Sequence, residues 1–411
     1  MFNKQSTKCA LFYIPKSMKS VALLQIKVSI TILIISLVQL FCSCTRTIKT
    51  DILLSTNGKS LDIDLSKHMK YTGFYWEDIL DSVKIIFPET TEASLIGEIV
   101  QVEFSDDRIF IYDMVHGGSV IIFDVNGSFI KRLPKGNGPG EINRVVGISY
   151  DKWAKELLVI QNPIVQRFSI NGDYIDDYIL PFPIDRLIVK EKEFVFSKIK
   201  GHQCKTIDNY NEYSIITTDR NLNIMKMMLP YTAERSTIIM VNKGDSLAFA
   251  MSGNDTIYHY YNDSLRRTFI LKIPNKANIN NMKFDEMVNF LQTTKPFTEC
   301  FLGNYLETDR HQYIEFEYGI HPYTIFRDKK NGNIGGGLSI LIDDGHKNLF
   351  AIKQPIATHE DWFISVDNPY NYCKGKIESD QFISKTDLNK LELLNDDDNP
   401  FFVMYKLKPF E

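Results

Sequence analysis

Past residue 80 the apolar positions of this chain fall into short runs, separated by Asp, Asn, Gly and Pro. Residues 83–87 end at Pro88, and runs at 96–104, 108–112, 119–124 and 128–133 follow in quick succession. They are rich in β-branched and aromatic residues, which predicts strands. Helical spacing is almost absent from the first 270 residues or so. Strands packed this closely without helices between them predict an all-β repeat rather than an α/β sheet.

One phrase occurs twice. Phe123-Asp124-Val125-Asn126-Gly127-Ser128-Phe129 returns 45 positions later as Phe168-Ser169-Ile170-Asn171-Gly172-Asp173-Tyr174. Each copy reads as strand, tight turn, strand, because Asn and Gly both tolerate positive φ. A hairpin recurring at this interval has the period of a β-propeller blade. Further strand runs fill a second blade (157–180), a third (194–229), a fourth (237–273) and a fifth (313–342), and residues 350–353 open a sixth. Two stretches break the pattern with apolar residues at helical spacing, 284–291 and 387–394. The prediction is an all-β, six-bladed β-propeller with small helical insertions in the later blades. The final run, 401–407, is expected to pair with 83–87 and close the ring, which removes an exposed sheet edge.

Between the two copies of the phrase lies Lys135-Gly136-Asn137-Gly138-Pro139-Gly140-Glu141. Together with Ser94-Leu95-Ile96-Gly97-Glu98-Ile99 and Asp398-Asn399-Pro400, this segment resembles the six-bladed β-propeller lipoproteins of Bacteroidetes, which are similar in fold to NHL-repeat propellers. The resemblance covers roughly residues 78–408. It implies a fold, a lipid anchor and an envelope location, and no reaction.

The N-terminal stretch is read as targeting rather than fold. Lys4, Lys8, Lys16, Lys19 and Lys27 precede an uncharged apolar run, residues 28–41. That is a basic region followed by an apolar segment of signal-peptide length, too short to span a bilayer. Met18 is the more natural start for it. The run ends in Cys42-Ser43-Cys44, similar to a bacterial lipoprotein box with Cys44 as the lipidated residue; Phe41 stands where such a box prefers Leu. The expected division is therefore a lipoprotein signal peptide over 1–43, a tether over 44–77 and the propeller over 78–411. Lipid at Cys44 would hold the domain to a membrane without crossing it. The residues after Cys44 carry no acidic run, which favours the periplasmic side.

Removing residues 1–43 takes away five lysines and no acid, moving the formal charge from −4 to −9. An acidic chain without a basic block argues against a nucleic-acid partner. Cys204, Cys300 and Cys373 are widely spaced, with no Cys-x-x-Cys pair, and read as free buried thiols.

Candidate chemistry is sparse. Three glycines and a proline make residues 136–140 a turn with positive φ, and the loop is either an inter-blade crossover or a ligand-presenting loop flanked by charge. Its candidate ligand residues are Lys135, Asn137, Glu141 and Arg144. It lacks the Gly-Lys-Ser/Thr ending of a phosphate loop. Gly335-Gly336-Gly337 reads as a flexible hairpin connection, Asp396-Asp397-Asp398 as a solvated turn, and His359-Glu360-Asp361-Trp362 as a strand whose neighbours diverge. Trp76, Trp153 and Trp362 read as core before they read as ligand platforms. No catalytic, cofactor-binding or metal-binding residue is assigned, and no cofactor is expected. The pattern points to a membrane-anchored periplasmic binding or interaction module for a carbohydrate, peptide or protein. The alternative, from fold analogy alone, is a calcium-dependent hydrolase or lyase of the NHL-like propeller type.

Overall fold

The computed structural model describes residues 54–55, 61–64, 74–115, 118–198, 204, 207, 210–230, 238–243, 246–251, 254–273, 284–294, 299–318, 321–337, 340–341, 352–371 and 382–411. Cys44 and Cys373 lie outside them, as does the side chain of Cys300. Cys204 is a partly buried thiol rather than half of a disulfide.

The strands form a six-bladed β-propeller. In the first blade Ile99–Phe104, Arg108–Asp113, Ser119–Asp124 and Phe129–Arg132 pair antiparallel in chain order. The second and third blades repeat this with Gly147–Asp151 to Tyr174–Ile179 and Ile184–Val189 to Ile224–Pro230. The fourth runs from Ile238–Lys243 to Ser264–Lys272, and the fifth from Glu299–Glu307 to Ile334–Gly337. The first strand of each blade lies innermost, and each touches the inner strand of the next blade around the whole circle.

Ring closure follows the predicted pairing. The sixth blade takes Ala357–His359, Trp362–Asp367 and Phe401–Leu407 from the C-terminal part and Leu80–Ile86 from the N-terminal part. Phe402 faces Ile86 and Tyr405 faces Val83 across the seam. This blade opens at Ala357, not at residues 350–353; Ile352 and Lys353 stand outside any strand, because they enter the blade as a connection. Both helical insertions are present, as Phe284–Thr293 and Lys385–Leu393. The second is capped by Ser384, whose Oγ accepts from Asp387 N at 3.0 Å, and it buries Leu388 and Leu391. Among the described residues no helix is long and apolar enough to cross a membrane.

The core lies between blades rather than at a single centre. Trp76, Tyr313, Phe326, Phe363 and Tyr405 pack together between the fifth and sixth blades. The Trp76 and Tyr405 rings meet edge-on with centroids 5.3 Å apart. Each such ring, fully buried, contributes about 1.5–3 kcal/mol from its area alone.

Two further segments attach to the outside. Leu54–Ser55 and Leu61–Asp64, within the stretch read as a tether, add parallel strands to the outer strand of the fourth blade. Ile63 is buried there. Phe74–Tyr75 then pairs in parallel with Ile340–Leu341 beside the fifth blade.

The repeated turns are hairpins, but not of the two-residue kind. Within these two turns only Gly127 and Gly172 have positive φ, at 93° and 80°. Gly127 N donates to Asp124 O at 3.0 Å, and Gly172 N to Ser169 O at 2.9 Å, so a three-residue loop ends on a left-handed glycine. Asp124 Oδ1 accepts from the amides of Asn126 and Ser128, and Ser169 Oγ from those of Asn171 and Asp173. That side-chain support favours the longer turn.

Candidate functional site

The glycine-rich segment is the crossover from the outer strand of the first blade to the inner strand of the second. Lys135 and Ile142 form an isolated bridge at its neck. Between them the chain wraps around the Glu141 carboxylate, whose Oε2 accepts from Gly138 N at 2.9 Å. A Cβ on Gly136 would sit 1.9 Å from that same oxygen. Gly140, at φ +76°, lies against Tyr174 of the second blade, where a Cβ would come within 2.7 Å of the tyrosine Cβ. The glycines thus let the loop close over a carboxylate and seat on the next blade.

This crossover forms one wall of a cavity of about 650 Å³. Residues 136–139, Glu141, Asn143 and Arg144 line one side, and Gln161, Asn162, Ile164, Gln166 and Asp177 of the second blade line the other. The two walls share a rim because the turn between the second and third strands of a blade lies at the same end of the sheet as the crossover. Of the four candidate ligand residues, Asn137, Glu141 and Arg144 line the cavity; Lys135 is solvent-exposed and outside the lining.

Side-chain amides connect the walls. Asn143 Nδ2 donates to Asn137 Oδ1 at 3.0 Å, and Asn143 N donates to the Gln161 side chain. Gln161 Nε2 in turn donates to Gln166 Oε1 at 2.7 Å. Asn162 pins the wall to the third blade: its Nδ2 donates to Ile184 O at 2.6 Å and its Oδ1 accepts from Ile184 N at 2.9 Å. Arg144 is exposed, has φ +54°, and makes no side-chain hydrogen bond or ion pair among the described residues. Asn137, Glu141, Asn143, Gln161, Asn162 and Gln166 are each held by a hydrogen bond, and this guanidinium is offered to solvent.

Gln161, Gln166 and Asp177 escape a reading of the sequence alone. The available signal is the polar Gln161-Asn162-Pro163 turn between two apolar runs, which blade geometry places at the crossover rim.

The remaining candidates take structural roles. Gly335-Gly336-Gly337 is not a flexible connection but part of the outer strand of the fifth blade. A Cβ on Gly336 would come within 2.2 Å of Thr324 O, so close backbone approach requires the glycine. His359 and Trp362 pair across a tight turn with Glu360 at φ +51°, not along one strand. Asp398 closes its turn by accepting from Asn395 N at 2.7 Å. Trp76 is core, whereas Trp153 is at the surface beneath Lys152 and Trp362 is partly covered by Lys406. No three His, Cys, Asp or Glu side chains are gathered as metal ligands among the described residues.

Comparison with known proteins bears on fold more than on chemistry. A crystal structure of a Bacteroides fragilis protein assigned to export is similar over 85% of this chain and 100% of that one, with 14% identity and a TM-score of 0.66. A DUF4221 member from Bacteroides vulgatus is similar over 80% of this chain and 97% of its own, at 12% identity and a TM-score of 0.48. No curated protein matches the sequence. The family Domain of unknown function (DUF4934) matches residues 60–406, and the chain belongs to it.

Proposed function

We propose that this chain is a lipid-anchored envelope protein that binds a carbohydrate in the crossover cavity and carries out no reaction on it. The observation that carries the reading is the convergence of the Asn137, Asn143, Gln161 and Gln166 amides on one open cavity beside the unpaired Arg144 guanidinium. Planar side chains with both donors and acceptors suit vicinal hydroxyls, and Ile164 adds an apolar patch at the same wall. A calcium-dependent hydrolase would need converging carboxylates, and the described residues offer no such group for it.

Export and anchoring rest on the basic and apolar N-terminal stretch and on Cys44, supported by the fold likeness to the Bacteroides fragilis protein. The periplasmic side is favoured by the lack of acid after Cys44. Cys44→Ala is expected to shift the protein from the membrane pellet to the supernatant; continued sedimentation with lipid label would overturn the anchor.

The binding test is a glycan array with the full chain, followed by calorimetry on the best oligosaccharide. Arg144→Ala and Gln161→Ala are expected to weaken binding at least tenfold with unchanged circular dichroism. An array without a hit, or variants that bind as tightly as the parent, would overturn the carbohydrate reading.

A further inference from the structure

The axis of the ring holds a second cavity, of about 250 Å³, lined by the inner strands of all six blades. It is separate from the crossover cavity, and most of its lining residues are apolar, Ile239 and Leu306 among them. Two charged groups interrupt that lining from different blades: Glu103 on the first and Arg186 on the third.

Glu103 is fixed in place. Gln101, two residues earlier on the same strand, donates from Nε2 to Glu103 Oε1 at 2.9 Å and to Ile148 O at 2.7 Å. Its Oε1 accepts from Ile148 N at 3.1 Å, so the amide cannot turn without breaking the junction between the first two blades. Arg186 acts on the Glu103 charge through space, yet no ion-pair contact within 4.0 Å joins them, and the Arg186 side chain has no hydrogen-bond partner among the described residues. Burial pushes Glu103 up to about 7, against the opposing pull of Gln101 and Arg186. A carboxylate held where it costs stability and a guanidinium without a hydrogen-bond partner among the described residues, both lining one cavity, make the arrangement of a site.

We propose that the axial cavity binds a small zwitterion of the α-amino-acid class, its carboxylate on Arg186 and its ammonium on Glu103. Arginine presents a planar fork matched to a carboxylate, and a positioned carboxylate accepts from an ammonium. The Asn242 amide lies in the same lining, and the apolar strand residues accommodate a short aliphatic side chain. The volume restricts the ligand to a small molecule and excludes a folded partner. This site does not depend on the carbohydrate reading of the rim.

The test is calorimetry of the full chain with glycine, L-alanine, L-leucine and L-glutamate, each tried separately. At least one is expected to bind saturably, while the matching carboxylic acid without the amine and the matching amine without the acid bind at least tenfold more weakly. Arg186→Gln and Glu103→Gln should each weaken the amino acid at least tenfold, while Arg144→Ala leaves it unchanged. Glu103→Gln removes a group that strains the fold, so it is expected to remain folded; Arg186→Gln gives an independent arm. Absence of saturable binding by all four amino acids, or binding indifferent to both channel variants, would overturn the proposal.

Discussion

Asn399 and Ile96 are 303 positions apart in the chain, yet Ile96 N donates to Asn399 Oδ1 at 2.7 Å. The same side chain donates from Nδ2 to Glu89 O at 2.8 Å and to Ser94 O at 3.0 Å. One buried amide therefore ties the segment after the N-terminal seam strand to the turn before the C-terminal one. Two of the three segments that carried the family resemblance meet at this point.

Asn399→Ala leaves Ile96 N and Ser94 O without a partner, while Glu89 O keeps the Ser94 hydroxyl at 2.6 Å, at a cost of about 1–3 kcal/mol for the first unsatisfied group. Urea unfolding should show a loss of about 2–4 kcal/mol, with Asn399→Asp intermediate because it keeps the acceptor. A loss below about 0.5 kcal/mol for the alanine variant would mean that the seam does not depend on this residue.

The two glycines of the repeat predict different outcomes. A Cβ on Gly127 would meet Phe87 O at 2.2 Å, which is rigid backbone at the end of the seam strand. A Cβ on Gly172 would meet only side-chain ends, Ile122 Cδ1 at 2.9 Å and Leu133 Cδ2 and Lys131 Cδ at 3.0 Å. Both pay about 1–2 kcal/mol for left-handed φ. Gly127→Ala should thus lower the melting temperature clearly more than Gly172→Ala; equal effects would refute the docking of the first turn on Phe87.

Glu103 makes a pH prediction. Its pKa is about 7 in the folded chain against 4.5 ordinarily, burial being the main cause. The folded state then holds the extra proton between these values, so stability falls as pH rises from about 4.5 to about 7. The penalty at pH 8 is on the order of 3 kcal/mol. Glu103→Gln should be more stable than the parent at pH 8 and similar to it at pH 4; a constant difference across that range would contradict the assignment.

Glu307 predicts the opposite slope. Burial would raise its pKa, but the hydrogen bond and charge of His259 and the charge of Lys329 overcome it and hold it at about 2. His259 Nε2 lies 3.1 Å from Glu307 Oε2, across the boundary between the fourth and fifth blades, and Lys329 Nζ lies 2.6 Å from Oε1. The stabilisation is present above about 4.5 and is lost as pH falls towards about 2. Glu307→Gln should cost about 3–5 kcal/mol near neutral pH, as for one removed partner of a buried pair. The difference should shrink in acid; a pH-independent difference would argue for lost packing alone.

How much was legible in the sequence depended on which residue filled one position in each turn. The third blade has the same loop as the first two, with Asp219 Oδ1 accepting from Asn221 N and Asn223 N. Leu222, at φ +64°, occupies the place of Gly127 and Gly172. The conformation persists while its glycine signature is gone, so the echo in the sequence stops after two copies. Leu222 instead packs into the cluster between the second and third blades, and neighbouring Arg220 binds Asp151 at 2.7 Å. Ring closure was readable because 83–87 and 401–407 are strong apolar runs on either side of the chain. The cavities were not, since each is assembled from residues of different strands whose approach only the ring imposes; Arg186 and Glu103 carry no local pattern at all.

The strands on the outside of the fourth blade set where tension enters the molecule. Leu54–Ser55 and Leu61–Asp64 run along strand Ser264–Lys272 before the chain reaches the seam strand Leu80–Ile86. A pull on the chain ahead of residue 54 must first peel those parallel pairs and extract Ile63, and then free Phe74–Tyr75 from Ile340–Leu341. The ring seam is thereby shielded from mechanical load, and force applied at the N-terminal side is borne by a blade that can lose its extra strands without opening the circle.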